Sequence, residues 1–106
     1  KGAVERELAL IKVKADSVNR SEIVQIADIF RANIVDAAPH SLVLEITGTV
    51  EKVNRLLRML KPFSIVEVQR TGVVAILRGG EEVSTDLPLV AAGTNGQPAV
   101  DAAPEE

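Results

Sequence analysis

The chain has 106 residues, enough for one domain with a modest core. Apolar residues make up 46% and aromatics only 2% (Phe30 and Phe63), which leaves no platform for stacking bases and disfavours single-strand nucleic-acid binding. Cysteine is absent, which excludes a disulfide frame or a thiolate site, and the net charge of −3 is uneven: residues 1–80 hold all 12 Lys and Arg against nine acids, residues 81–106 six acids and no base.

A folded part carrying only +3 lacks the clustered Lys and Arg expected of a DNA-binding domain. No run approaches the roughly 18 apolar residues that a membrane span requires. The opening KGAVERE has neither Met nor a charged-then-apolar leader, so the expectation is a piece of a longer chain. Composition adds the expectation of no nucleic-acid or membrane partner, and the lack of Cys is compatible with the cytoplasm.

Residues 5–14, ERELALIKVK, set Leu8 and Leu10 on one face and Ala9, Ile11 and Val13 on the other, as in a central strand. DSVNRSE follows, where Asn19 and Glu22 have the spacing of a capping box. In residues 20–32, Ile23, Ile26, Ala27 and Phe30 form one helical stripe, and Asn33 suits the left-handed position after it. Residues 34–38 read as a short strand, Pro39-His40-Ser41 as a hairpin turn, and residues 42–47, LVLEIT, as an alternating strand with Leu42, Leu44 and Ile46 inward.

Thr49 caps a second helix over 50–61, with Val53, Leu56, Leu57 and Leu60 as its stripe and Pro62 as its stop. Residues 65–70, IVEVQR, form a further strand, and VVAIL after Gly72 a short last strand or a continuation beyond a bulge. Residues 4–80 are thus one domain. Residues 81–106, rich in Ala, Gly, Pro and acid, are expected to form a disordered tail.

The order β-α-β-β-α-β predicts an α+β, ferredoxin-like (ACT-like) sandwich, an antiparallel sheet with two helices on one face. Its other face would carry Ala9, Ile11, Val13, Val43, Val66 and Val68. An apolar face without a helix to cover it predicts a homodimer or a second packed domain.

Chemistry-bearing constellations are sparse. His40, the one histidine, adjoins Ser41 in a turn, where neighbouring side chains do not form a nucleophile–base pair. One His, no Cys and scattered acids fit no metal spacing, and no catalytic residues are assigned. Glu45 is expected to pair across the sheet with Lys12, Lys14 or Arg70. An acylphosphatase-like enzyme would need Arg20 and a water-orienting Asn at a strand end, yet Asn54 falls on the second helix.

Two binding sites are candidates. At the first helix N-terminus, Asp16, Asn19, Arg20 and Ser21 could present amides to the carboxylate of an effector, or simply cap the helix. On the second helix Lys52, Arg55, Arg58 and Lys61 recur every three residues, either a solvated face or a dock for an acidic partner. RTGVVAILRGG is no phosphate loop, because no helix follows its glycines. Its Arg70 and Arg78 stand about 26 Å apart when extended, too far for one pocket. Arg70, Thr71 and Arg78, with Arg55 and Arg58, are instead candidates for partner contact.

Four segments in order, VERELALIKV, RSEIVQIADIFRANIVD, SLVLEITG and PFSIVEVQRTGVVAILRG, resemble the C-terminal domain of the small, regulatory subunit of acetolactate synthase (acetohydroxyacid synthase) across residues 4–79. The resemblance implies a protein without chemistry of its own. It would bind and activate the catalytic large subunit and support feedback regulation of branched-chain amino-acid (valine, leucine, isoleucine) biosynthesis. Thiamine diphosphate, magnesium and FAD are then expected on the large subunit, with no cofactor on this chain. In the family an N-terminal ACT domain binds the effector, and the expectation is that it lies outside this chain. Two departures stand out: the family carries Gly where Ser64 follows Phe63, and a basic residue where Val74 stands. The alternative is a stand-alone ACT-like amino-acid sensor using DSVNRSE at a dimer interface.

Overall fold

The computed structural model describes residues 2–80. The expected tail, residues 81–106, lies outside the described residues. Five strands and two helices follow in the order β1 (Ala3–Lys14), α1 (Arg20–Phe30), β2 (Asn33–Ala38), β3 (Ser41–Gly48), α2 (Val50–Leu60), β4 (Ile65–Arg70) and β5 (Val74–Leu77). The sheet runs β2-β3-β1-β4 with every pairing antiparallel, and β5 pairs with β1. This is the ferredoxin-like, ACT-like arrangement, with β1 and β3 central as expected.

Both helices lie on one face. Ile23, Ile26 and Ala27 of α1 and Val53, Leu56 and Leu60 of α2 form one buried cluster with Ala9, Ile11 and Val13 of β1 and Leu42, Leu44 and Ile46 of β3. The alternation of β3 and the two helical stripes therefore point where the sequence places them.

The face of β1 is the reverse of the expectation. Ala9, Ile11 and Val13, expected on the uncovered face, are fully buried beneath the helices. Ile11 stands opposite Leu44 on one side and Val68 on the other, so Val68 also joins the core. The uncovered face instead pairs Leu10 with Glu45 and Gln69, and Lys12 with Val43 and Glu67. It is a mixed, largely polar surface, and the apolar dimer face predicted from the sequence does not exist. A strand apolar on both sides carries no sign of which side meets the helices, and the bulge that shifts register between Lys12 and Val13 hides the phase of β4.

Three local expectations are corrected. The first helix ends at Phe30, and Arg31, not Asn33, takes the left-handed position at φ 58°. Arg31 N–H then donates to Asp28 O and Ala32 N–H to Ala27 O, the paired bonds of a Schellman end. Asn19 makes no side-chain cap, because its Oδ1 accepts from Asp16 N–H at 2.9 Å. Thr49 does cap α2, its hydroxyl accepting from Lys52 N–H at 3.1 Å.

Ser64 has φ 75°. Its N–H donates to Lys61 O and its carbonyl accepts from Lys14 N–H, so the strained residue ties the end of α2 to β1.

Strands β4 and β5 are successive parts of one path along β1. Arg70 stands opposite Ala9 and Val74 opposite Arg6, with Gly72 at φ 85° between them. The bend costs Gly little because it has no Cβ. Among the described residues, no helix is long and apolar enough to cross a membrane.

Candidate functional site

Two places gather the polar side chains singled out in the sequence. The first is the loop from β1 to α1. Asp16 Oδ1 accepts from the amides of Val18 and Asn19, both at 2.9 Å, and its backbone carbonyl accepts from Arg20 N–H at 3.1 Å. The Asn19 amide, then that of Val18, holds the Asp16 carboxyl below the usual carboxylate range. Arg20 turns away from the helix start: its Nη2 donates to Ala38 O at 2.7 Å, Pro39 O at 2.9 Å and, at 3.4 Å, Ala15 O. It thereby pins the β2–β3 hairpin to this loop.

Lys14, Ala15, Asp16, Asn19 and His40 surround an open cavity of about 300 Å³. Asp16, Asn19 and Arg20 thus come together, with Ser21 exposed on the first turn of α1. Two of the amides expected to face an effector are already held by a carboxylate, which would repel an incoming anion.

The second place is the junction of β4 and β5. Arg70 donates from Nη2 to Glu7 Oε1 at 2.7 Å and from Nε to Glu7 Oε2 at 3.1 Å. Its Nη1 donates to Asn54 Oδ1 on α2 at 2.9 Å. The guanidinium fork is therefore saturated on one side by a carboxylate that is only 5% accessible, while the Arg70 side chain itself is 31% accessible. The Arg70 hydrogen bonds are the main cause that lowers the Glu7 carboxyl, while partial burial opposes the shift.

Thr71 fixes the bend: its N–H donates to Leu8 O, its hydroxyl accepts from Leu8 N–H at 3.1 Å and donates to Gly72 O at 2.8 Å. Arg70 is consequently not the partner of Glu45, one of the pairings the sequence allowed. Nor does Asn54 orient a water at a strand end; it braces Arg70.

The five residues expected to contact a partner fall at the end of β4, on α2 and just after β5. Arg70 and Thr71 lie at the bend and Arg55 on the exposed side of α2. Arg58 and Lys61 rim a shallow groove floored by Leu57, Ile65 and Val68. Arg78, whose N–H donates to Gly2 O, sits at the far end of the β1–β5 ribbon beside a cavity that Thr49 also lines. The ribbon itself exposes Val74 and Ile76, each about 70% accessible.

Glu7 and this groove escaped the sequence reading. A signal for Glu7 existed, since it shares the parity of Ala9, Ile11 and Val13, and a carboxylate on that register needs a cation. Choosing Arg70 among the bases required knowing the β1–β4 register.

A family model described as the small subunit of acetolactate synthase matches residues 6–79. The acetolactate synthase small subunit of Mycobacterium bovis is 46% identical over 83 residues, covering 78% of this chain and 49% of that protein. That of Aquifex aeolicus is 49% identical over 76 residues, covering 71% and 40%. The chloroplastic small subunit 2 of Arabidopsis thaliana is 45% identical, covering 78% of this chain and 17% of that one. Among solved structures, the acetolactate synthase small subunit of Thermotoga maritima superposes with a TM-score of 0.68 at 42% identity, covering 73% of this chain and 47% of the other. The chain spans about half the length of the bacterial relatives.

Proposed function

The chain belongs to the acetolactate synthase small-subunit family, and we propose that it is a non-catalytic regulatory part that binds and activates the catalytic subunit of that enzyme. The observation that carries this reading is the extent of the family match: residues 6–79 take in both helices and four of the five strands whole, and β1 from Arg6 onward. In this proposal thiamine diphosphate, magnesium and FAD stay on the catalytic subunit. The place of action is that of its partner, the cytoplasm or, in a plant, the plastid.

The surface beside Arg70 supports docking. A rigid bidentate pair fixes the bend, and beyond it β5 presents apolar side chains to solvent. A two-stranded ribbon gains little stability alone, so its exposed residues are better explained by a covering surface. A homodimer belongs to the same proposal through the free edge of β2, which leaves its outer backbone groups unpaired among the described strands.

Feedback inhibition by branched-chain amino acids would be transmitted by this chain rather than sensed at Asp16, Asn19, Arg20 and Ser21. An amino-acid carboxylate arriving at that loop meets the Asp16 carboxylate on the amides it would need. Calorimetry with valine, leucine and isoleucine tests this choice. Silence together with complex formation on mixing with the catalytic subunit supports the proposal, whereas tight amino-acid binding by the chain alone supports the sensor.

A further inference from the structure

A second apolar surface lies on the helix side of the sheet, away from the β5 ribbon. Between α1 and α2 runs an open groove of about 420 Å³, lined by the apolar side chains of Ile26, Ile29, Met59 and Phe63. Ile29 is 72% and Met59 46% accessible, so two large apolar side chains stand uncovered at one place. Glu22, Ile26 and Ile29 follow at i, i+4 and i+7 on α1, which makes a straight wall two helical turns long, about 10 Å.

The two rims differ in charge. Glu22 lines the α1 side and Arg58 the α2 side. Arg58 stands three positions from both Arg55 and Lys61, all three exposed, and none of these side chains has a hydrogen-bond or ion-pair partner among the described residues. Arg58 also lines the neighbouring groove of Leu57, Ile65 and Val68, which reaches β4, the strand that ends at Arg70. One unpaired guanidinium therefore separates two apolar depressions, a setting that selects a carboxylate carried on an apolar surface.

Shape selects the kind of surface. A groove between two packed helices receives the ridge of a third at an interaxial distance of about 8–10 Å, with anchoring side chains three or four positions apart. Both helices of the described chain are already walls of this groove, so a second copy has no further helix to lay in it.

We propose that the α1–α2 groove seats an amphipathic helix of the catalytic subunit, which packs two apolar side chains one turn apart on Ile29 and Met59 and presents a carboxylate to Arg58. This seat rests on the proposed partnership with that subunit and adds a second contact to the one at β5. Glu22 repels an acid on the opposite flank, so the opposed rims hold the incoming helix in one rotation about its axis.

Calorimetric titration of the full 106-residue chain into the purified catalytic subunit of the same organism tests the proposal, comparing wild type with Ile29→Gln and Arg58→Glu. Both residues are exposed, so the unfolding midpoints of the variants should match that of wild type. Each variant should bind about tenfold more weakly, and the loss in Arg58→Glu should shrink at high salt. Wild-type affinity in either variant would overturn the groove while leaving the partnership standing, because wild type would still form the complex. No complex with wild type would remove the partnership and the groove together. Self-association of wild type on sedimentation that Ile29→Gln abolishes, with binding to the catalytic subunit unchanged, would assign the groove to a second copy and overturn the proposal.

Discussion

The Glu7 carboxylate receives Nη2 of Arg70 at 2.7 Å and Nε at 3.1 Å, closing a contact across 63 positions of the chain. With Nη1 on Asn54, a single guanidinium ties β1, β4 and α2 together where the chain bends into β5. The pair is the only salt bridge found among the described residues, and it joins elements that the sheet and the core hold at other points.

Its pH dependence follows from the sign of the shift. Glu7 is lowered in the folded chain, first by its hydrogen bonds from Arg70, and Asp16 is lowered by the amides of Asn19 and Val18. Both contributions are complete above the unfolded carboxyl range of about 4 and are lost as pH falls through the folded values. Thermal unfolding followed between neutral and acid pH should show declining stability below about pH 4, with a shallower decline in Glu7→Gln. An unchanged acid profile in that variant would separate Glu7 from the effect.

Removing the cation should hurt more than removing an exposed one. Arg70→Ala leaves a nearly buried carboxylate without its fork, whereas Arg55 lies on the exposed face of α2. The unfolding midpoint of Arg70→Ala should fall clearly below that of Arg55→Ala, as measured by circular dichroism on heating.

Backbone conformation gives two changes of opposite sign. Ser64→Gly relieves a positive φ of 75° and should stabilise the chain by about 1 kcal/mol in urea unfolding. Thr49→Ala removes the hydroxyl that accepts from Lys52 N–H and should cost about 1 kcal/mol.

The core and the ribbon should separate stability from binding. Leu44 is fully buried between the helices and the sheet, and Leu44→Ala should cost about 3 kcal/mol. Ile76 is 72% accessible, and Ile76→Ser should change stability by less than about 0.5 kcal/mol while weakening the complex with the catalytic subunit.

Much of this was legible in the sequence because the signals were local. The stripes of α1 and α2, the alternation of β3, the Thr49 cap and the bend at Gly72 each depend on neighbours within a few residues. What failed needed register. The two apolar faces of β1 look alike in sequence, and the bulge opposite Lys12 and Val13 shifts the phase of β4, so the covered face was assigned backwards. The loop at Asp16 misled for a related reason. Asn19 and Glu22 have the spacing of a capping box, but Asp16 competes for the same short loop and its carboxylate takes the amides. The Glu7–Arg70 pair was out of reach until β1 and β4 were aligned.

The central claim, that this chain activates a catalytic subunit, is tested most directly by titrating the full chain into the purified catalytic subunit from the same organism and following acetolactate formation. The account predicts a saturable rise in turnover that coincides with a complex on size-exclusion chromatography and is weakened by Ile76→Ser. Unchanged turnover, with the two proteins eluting separately at every concentration, would contradict it.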